Sequence, residues 1–212
     1  MRKRLKLTKH MKSYTLLLLS VFALFSCDNT TTDETNPTNN TVEATEEFDE
    51  MSIFQLPSTW KTQNNETVEF KDFQGEVLVV VMIYTSCKAA CPRLVADMRN
   101  IEAKVKSEAN QPVKYILVSI DPETDIPEKL KAFAIENQMD SEQWVFLQGS
   151  DENTREFANI LAVKYKEISP IDFSHSNIIS VFNQQGVLVH QQEGLGVDNK
   201  ATVNKIIELV AP

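Results

Sequence analysis

Residues 77–84 (VLVVVMIY) form an unbroken apolar run rich in β-branched side chains. A strand with one face in water alternates apolar and polar positions. A strand without a polar position must be covered on both faces. This run therefore calls for a central strand in a layered sheet with helices on either side.

The flanking sequence supplies the other layers. Residues 53–60 and 67–70 read as two short strands joined through Gln63, Asn64 and Asn65, a turn-prone cluster. After the central run, Leu94, Met98, Ile101 and Val105 recur at helical spacing. Residues 113–120 form a second apolar strand ending at Asp121 and Pro122. Asp125 is placed to cap a helix with Pro127 in its first turn and Leu130, Phe133 and Ala134 inward. Residues 144–147 read as a short strand. Ser150 or Asp151 caps the next helix, which turns Phe157, Ile160 and Leu161 to one face. Residues 177–182 and 187–190 form a hairpin, and Val203, Ile206, Ile207 and Val210 mark a closing amphipathic helix.

The alternation of strands and helices predicts a mostly parallel sheet with an antiparallel portion from the last hairpin. In element order this α/β pattern resembles the thioredoxin-like fold: a central mixed sheet flanked by helices, here with an N-terminal β-hairpin. The folded domain is expected over residues 51–212.

The residues before it have a different character. The first 26 contain six Lys or Arg and no acid, and the apolar run 16–25 is broken only by Ser20. Ten residues fit the apolar region of a signal peptide better than a membrane span. The run ends in Leu24-Phe25-Ser26-Cys27, which resembles a lipoprotein box with Cys27 as the lipidated residue. A simple signal peptide or an uncleaved anchor is the alternative, and each version exports the domain. Residues 27–50 are rich in Thr, Asn, Asp and Glu and read as a disordered tether. Without the first 26 residues the chain holds 15 basic against 30 acidic residues, a net charge of −15. Such a domain repels phosphate backbones, so nucleic acid is not an expected partner.

Cys87 and Cys91 follow the central strand where a helix begins. Ligands of open α/β sheets sit beyond the carboxyl ends of strands. A helix N-terminus favours thiolates, and Lys88 and Arg93 add positive charge. Spacing i, i+4 sets both sulfurs on one face if the helix starts early. Two thiolates suit Cu(I); the plainer reading is a disulfide that pins the loop. His175 ends a loop running from about Tyr165, and a neutral imidazole there would complete a three-coordinate site. Asp121 either orients that site from behind or is a turn residue before Pro122. Met82 and Met98 fall on core positions, and His190 in its alternating strand is expected to be exposed.

Three blocks, Tyr84-Thr85-Ser86-Cys87-Lys88-Ala89-Ala90-Cys91-Pro92, Val118-Ser119-Ile120-Asp121-Pro122-Glu123-Thr124-Asp125 and Asp172-Phe173-Ser174-His175-Ser176, resemble the signatures of Sco/SenC proteins. The resemblance spans residue 51 to the end. It implies a copper chaperone for cytochrome c oxidase assembly, with Cys87, Cys91 and His175 as ligands to one ion, Cu(I) or Cu(II). The expected partners are the copper-bearing oxidase subunit or another copper chaperone. Many members carry Pro after the first Cys, where this chain has Lys88; the ligands remain, while the acceptor is less defined. The rival expectation is a membrane-anchored thiol-disulfide oxidoreductase that reduces copper-site cysteines, with Cys87 and Cys91 redox-active. Against it stand the three-residue spacing and Ser174-His175-Ser176 where thioredoxin enzymes carry a cis-Pro. A peroxidase is weaker still, since no Pro-x₃-Thr-x₂-Cys pattern precedes Cys87.

Overall fold

The apolar run becomes strand β3 (Val77–Ile83), buried at every residue. Each side chain of that size contributes roughly 1.5–3 kcal/mol on burial. The computed structural model describes residues 49–88, 90–107, 112–169 and 172–211. The chain divides into two units, Met1–Ala44 and Thr45–Pro212, and the described residues all belong to the second. The signal segment, Cys27 and the tether up to residue 48 lie outside the described residues. Among the described residues no helix is long and apolar enough to cross a membrane.

In chain order the remaining strands are β1 (Thr59–Thr62), β2 (Thr67–Glu69), β4 (Val113–Ser119), β5 (Trp144–Gln148), β6 (Tyr165–Ser169), β7 (Asp172–His175), β8 (Ile178–Phe182) and β9 (Leu188–Glu193). The helices are α1 (Cys91–Lys106), α2 (Pro127–Glu136), α3 (Asp151–Ile160) and α4 (Lys200–Val210). Seven strands form one mixed sheet in the order β2-β1-β5-β4-β3-β8-β9. β3, β4 and β5 run parallel, while β8 pairs antiparallel with β3 and β1 with β5. Helices α1 and α4 pack on each other and α2 packs on β5. The expected thioredoxin-like α/β class holds.

The N-terminal hairpin is anchored by aromatic packing. Trp60 of β1 meets Phe70 and Phe157 edge-on, with ring centroids 5.7 and 5.6 Å apart, and Phe70 stacks on Phe157 at 4.5 Å. Gly149 is required beside this cluster, because a Cβ there would lie 2.6 Å from the Trp60 ring.

Several local expectations give way. The first strand starts only at Thr59; Ile53–Gln55 is a 3-10 turn whose Phe54 N–H is capped by Ser52 Oγ. Residues expected as a loop before His175 instead pair as the antiparallel β6–β7 hairpin, a separate two-stranded sheet. Ser150, rather than Asp151, caps α3 by accepting from Asn153 N–H. On that helix Phe157 and Ala158 are buried, as is Leu161 just past its end, while Ile160 is exposed. His190 is half-buried, with Nε2 3.0 Å from Thr202 Oγ1. Met82 and Met98 are core residues, as expected.

Candidate metal and thiol site

The antiparallel pairing of β8 with β3 decides where His175 goes. Leu78 faces Phe182 and Val80 faces Ser180. Carried to the carboxyl end of β3, this register sets Tyr84 beside residues 175 and 176. The rings of Tyr84 and His175 meet edge-to-face, centroids 5.7 Å apart. His175 therefore reaches the strand end from which the Cys87 loop departs, although 84 residues separate it from Cys91 in the chain.

The loop after β3 is short and internally bonded. Cys87 N–H donates to the Tyr84 carbonyl at 3.3 Å. Helix α1 starts at Cys91, with Pro92 in its first turn and no side-chain oxygen capping it. The Cys91 N–H donates instead to Cys87 Sγ at 3.3 Å. The sulfur thus occupies the place of a helix cap, where main-chain donors are otherwise unsatisfied. Because the helix begins at Cys91, the two cysteines do not share a helical face; Cys87 precedes the helix and meets Cys91 through this bond.

The two thiols differ in environment. Cys87 lies at the edge of the interior, at 9% exposure, and Cys91 is wholly enclosed. Burial pushes the Cys91 thiol well above the ordinary range, with the neighbouring Cys87 and Asp125 adding to the effect. For Cys91, then, burial outweighs the helix N-terminus that was expected to favour a thiolate.

Asp125 is the residue that sequence reasoning assigned to the wrong task. It does not cap α2, whose N-cap is Ile126 with no side-chain bond. Its carboxylate is fully buried and supports the cysteine loop from below. It accepts from Thr85 N–H at 3.0 Å, from Thr85 Oγ1 at 2.5 Å and from Ser119 Oγ at 2.7 Å. Burial raises its pKa, and the Thr85 and Ser119 bonds oppose the shift. Only the Asp near the end of the second apolar strand hinted at this role. Asp121 takes the turn position: its Oδ1 accepts from Thr124 N–H, and its carbonyl accepts from Asp125 N–H.

His175 is prepared as a nitrogen donor. Its Nδ1 lies 3.0 Å from the Ser176 carbonyl. A carbonyl only accepts, so Nδ1 carries the hydrogen and Nε2 holds the lone pair. That Nε2 is buried without a hydrogen-bond partner. Burial also lowers the imidazole pKa, against the Ser176 bond, which favours the neutral ring that metals bind.

Tyr84 joins the two halves of the site. Its hydroxyl donates to Asp172 Oδ1 at 2.5 Å and accepts from Phe173 N–H at 3.3 Å. Burial raises the phenol pKa, followed by its bonds to Asp172 and to Cys87. Two clefts flank the β6–β7 hairpin. One is lined by Asp121, Pro122, Arg155, Tyr165 and Phe173, the other by Ser174, His175, Asn177 and Gly194; neither is lined by a cysteine. The structure brings the two sulfurs together and brings His175 to the same strand end. Among the described residues no three His, Cys, Asp or Glu side chains already form a metal-holding cluster. Two soft sulfurs and one partnerless imidazole nitrogen are nonetheless a donor set that fits copper.

Comparison with known proteins agrees with this architecture. A SCO1 protein homolog of Bacillus subtilis (strain 168) is 37% identical over 103 residues, which are 48% of this chain and 53% of the relative. The chain thus spans about half the length of that curated relative. A SCO1/SenC family lipoprotein from Bacillus anthracis str. Ames superposes with a TM-score of 0.67 at 24% identity, covering 74% of this chain and 95% of the other. Arabidopsis thaliana ScoI, solved with copper bound, gives 0.65 at 18% identity over 74% and 98%. BsSco, described with a disulfide switch and as a member of the Sco family of cytochrome c oxidase assembly proteins, gives 0.63 at 27% identity over 77% and 98%. The SCO1/SenC profile matches residues 29–211, and on that span the chain belongs to the SCO1/SenC family.

Proposed function

We propose that this protein is a non-enzymatic copper chaperone that takes one copper ion on Cys87, Cys91 and His175. It passes the ion to the copper-bearing subunit of cytochrome c oxidase or to another copper chaperone. Copper is cargo here, released by ligand exchange at the edge where Cys87 meets solvent. The observation that carries the reading is the buried, partnerless Nε2 of His175 at the strand end that holds both thiols. The copper-bound relative supports it at the level of fold.

The test is a copper titration of the reduced full-length chain. Cys87→Ala or Cys91→Ala leaves one sulfur, and Cu(I) affinity should collapse. His175→Ala keeps both sulfurs, sparing Cu(I) while weakening Cu(II), which favours imidazole more. Unchanged binding of both states by His175→Ala would remove His175 from the ligand set.

A second reading is thiol-disulfide exchange, favoured by the unequal burial of the two thiols and by the disulfide switch described for BsSco. Cys87, the more exposed, would attack a partner's disulfide, and Cys91 would resolve the mixed disulfide. The partner disulfide is reduced as Cys87 and Cys91 are oxidised. In this case Cys87→Ser abolishes exchange and His175→Ala is nearly silent.

The domain is proposed to act outside the cytoplasm, tethered through a diacylglycerol on Cys27. A family lipoprotein in Bacillus anthracis supports this. Mass spectrometry should find a mature N-terminus at a lipidated Cys27; an intact Met1 would refute it.

A further inference from the structure

The geometry points to Tyr84 as a positioning residue that sets the reach of His175 toward the two cysteine sulfurs, through a latch on the β6–β7 hairpin. The inference rests on the copper reading given above, and on the contacts that Tyr84 makes with β7.

Tyr84 is the first residue past β3 and the third before Cys87. Its backbone is tied to the cysteine loop, because its carbonyl accepts from Cys87 N–H. Its side chain is tied to the hairpin. The hydroxyl donates to Asp172 at the start of β7 and accepts from Phe173 N–H. The ring packs edge-on against Phe173, with centroids 5.2 Å apart, and against His175 at 5.7 Å. One side chain therefore grips β7 at both of its ends, at Asp172 and at His175.

Apart from this grip the hairpin is held at its β8 end by the register with β3, and by Tyr165 and Phe173, which pack against the core. β6 and β7 pair with each other and not with the main sheet. Their residues are exposed or half-buried throughout, and none is fully enclosed, so core packing restrains the hairpin less than it does the main sheet. The three ligands are not gathered into a ready cluster. An arm that carries a ligand needs a defined stop, and the Tyr84 hydroxyl on Asp172 provides one. Latched, His175 stands against the Tyr84 ring with its lone pair held in reserve. Binding of copper then draws on a small, defined displacement of the hairpin rather than on a search.

The test separates the hydroxyl from the ring. Tyr84→Phe keeps the packing and removes the latch together with the bond to Cys87; Asp172→Ala, at an exposed position, removes the latch alone, without touching the interior. Both are made in the full-length chain, alone and with His175→Ala. If Tyr84 acts through His175, Asp172→Ala, which leaves the Tyr84 bond to Cys87 in place, lowers Cu(II) affinity by about tenfold, the size of one well-placed polar interaction, and leaves Cu(I) affinity nearly as it was. In the His175→Ala background the same change has no further effect on Cu(II). An equal loss in both backgrounds overturns the proposal, since Tyr84 would then act without His175.

A metal-free readout accompanies this one. Amide exchange in β6 and β7 should speed up in either single variant, and the imidazole nitrogen signals of His175 should shift. Tyr84→Phe combined with Asp172→Ala should add nothing to the hairpin exchange or to the His175 shift of Tyr84→Phe alone. If the parent binds no copper, the functional reading falls, and these signals still judge the latch. Unchanged His175 signals and unchanged hairpin exchange in Tyr84→Phe overturn it.

Discussion

Asp125→Ala should be among the most damaging single changes near the site, and the structure lets its size be worked out. The carboxylate is fully buried and accepts three hydrogen bonds from Thr85 and Ser119. Bonds to a charged group contribute roughly 1.5–3 kcal/mol each, and a buried amide left unpaired costs roughly 1–3 kcal/mol. The two hydroxyl donors can turn to other acceptors, whereas the Thr85 N–H cannot. Against these losses stands the burial of the charge, which already raises the Asp125 pKa and which alanine relieves. The balance is about 2–4 kcal/mol of destabilisation, or roughly 5–15 °C in Tm for a domain of this size. Asp125→Asn keeps an acceptor for the amide and should cost only about 1 kcal/mol. Thermal and urea unfolding of the reduced full-length chain measure both. The pH dependence carries a sign as well. With its folded pKa above the unfolded 3.8, the native carboxyl binds the proton more tightly. Its contribution is present below 3.8 and is lost as pH rises through the raised value. Asp125→Asn should lack that part of the slope. If alanine proves no worse than asparagine, Asp125 does not support the cysteine loop as argued.

Gly186 and Gly75 both hold positive φ, yet a Cβ at Gly186 would stand 2.7 Å from Ser52 Oγ and 2.9 Å from the buried Phe54 ring, while Gly75 has nothing within 4 Å. Gly186→Ala should cost about 2–4 kcal/mol and Gly75→Ala about 1 kcal/mol in denaturant unfolding; equal costs would refute the packing argument. His175, whose folded pKa is depressed below 6.5, should lower stability as pH falls beneath 6.5 toward that depressed value, because the unfolded chain takes up the proton first. His175→Asn should flatten that component of the unfolding profile. Deleting residues 28–48, which offer no apolar face, should leave the unfolding midpoint unchanged; a cooperative loss would show that the tether packs on the domain.

The sheet was legible in the sequence because its determinants are local. A strand covered on both faces must be apolar throughout, and 77–84 is. The apolar stripe of α1 appears at Leu94, Met98, Ile101 and Val105, all buried. Cys87 and Cys91 were visible for the same reason: both sit in one short segment at the end of that strand. The rest depends on residues far apart in the chain. No local pattern tells that β8 pairs antiparallel with β3, yet this register brings His175 toward Tyr84. Asp125 has the sequence marks of a helix cap, and it became a buried acceptor because the folded strands put Thr85 and Ser119 around it. Residues 165–175 are polar enough to read as loop; they form a hairpin because each strand supplies the main-chain partners of the other. Periodicity records which faces are buried. Only the folded chain decides which distant backbone groups, thiols and imidazole meet, since those pairings are set by strand register and enclosure and leave no trace in local composition.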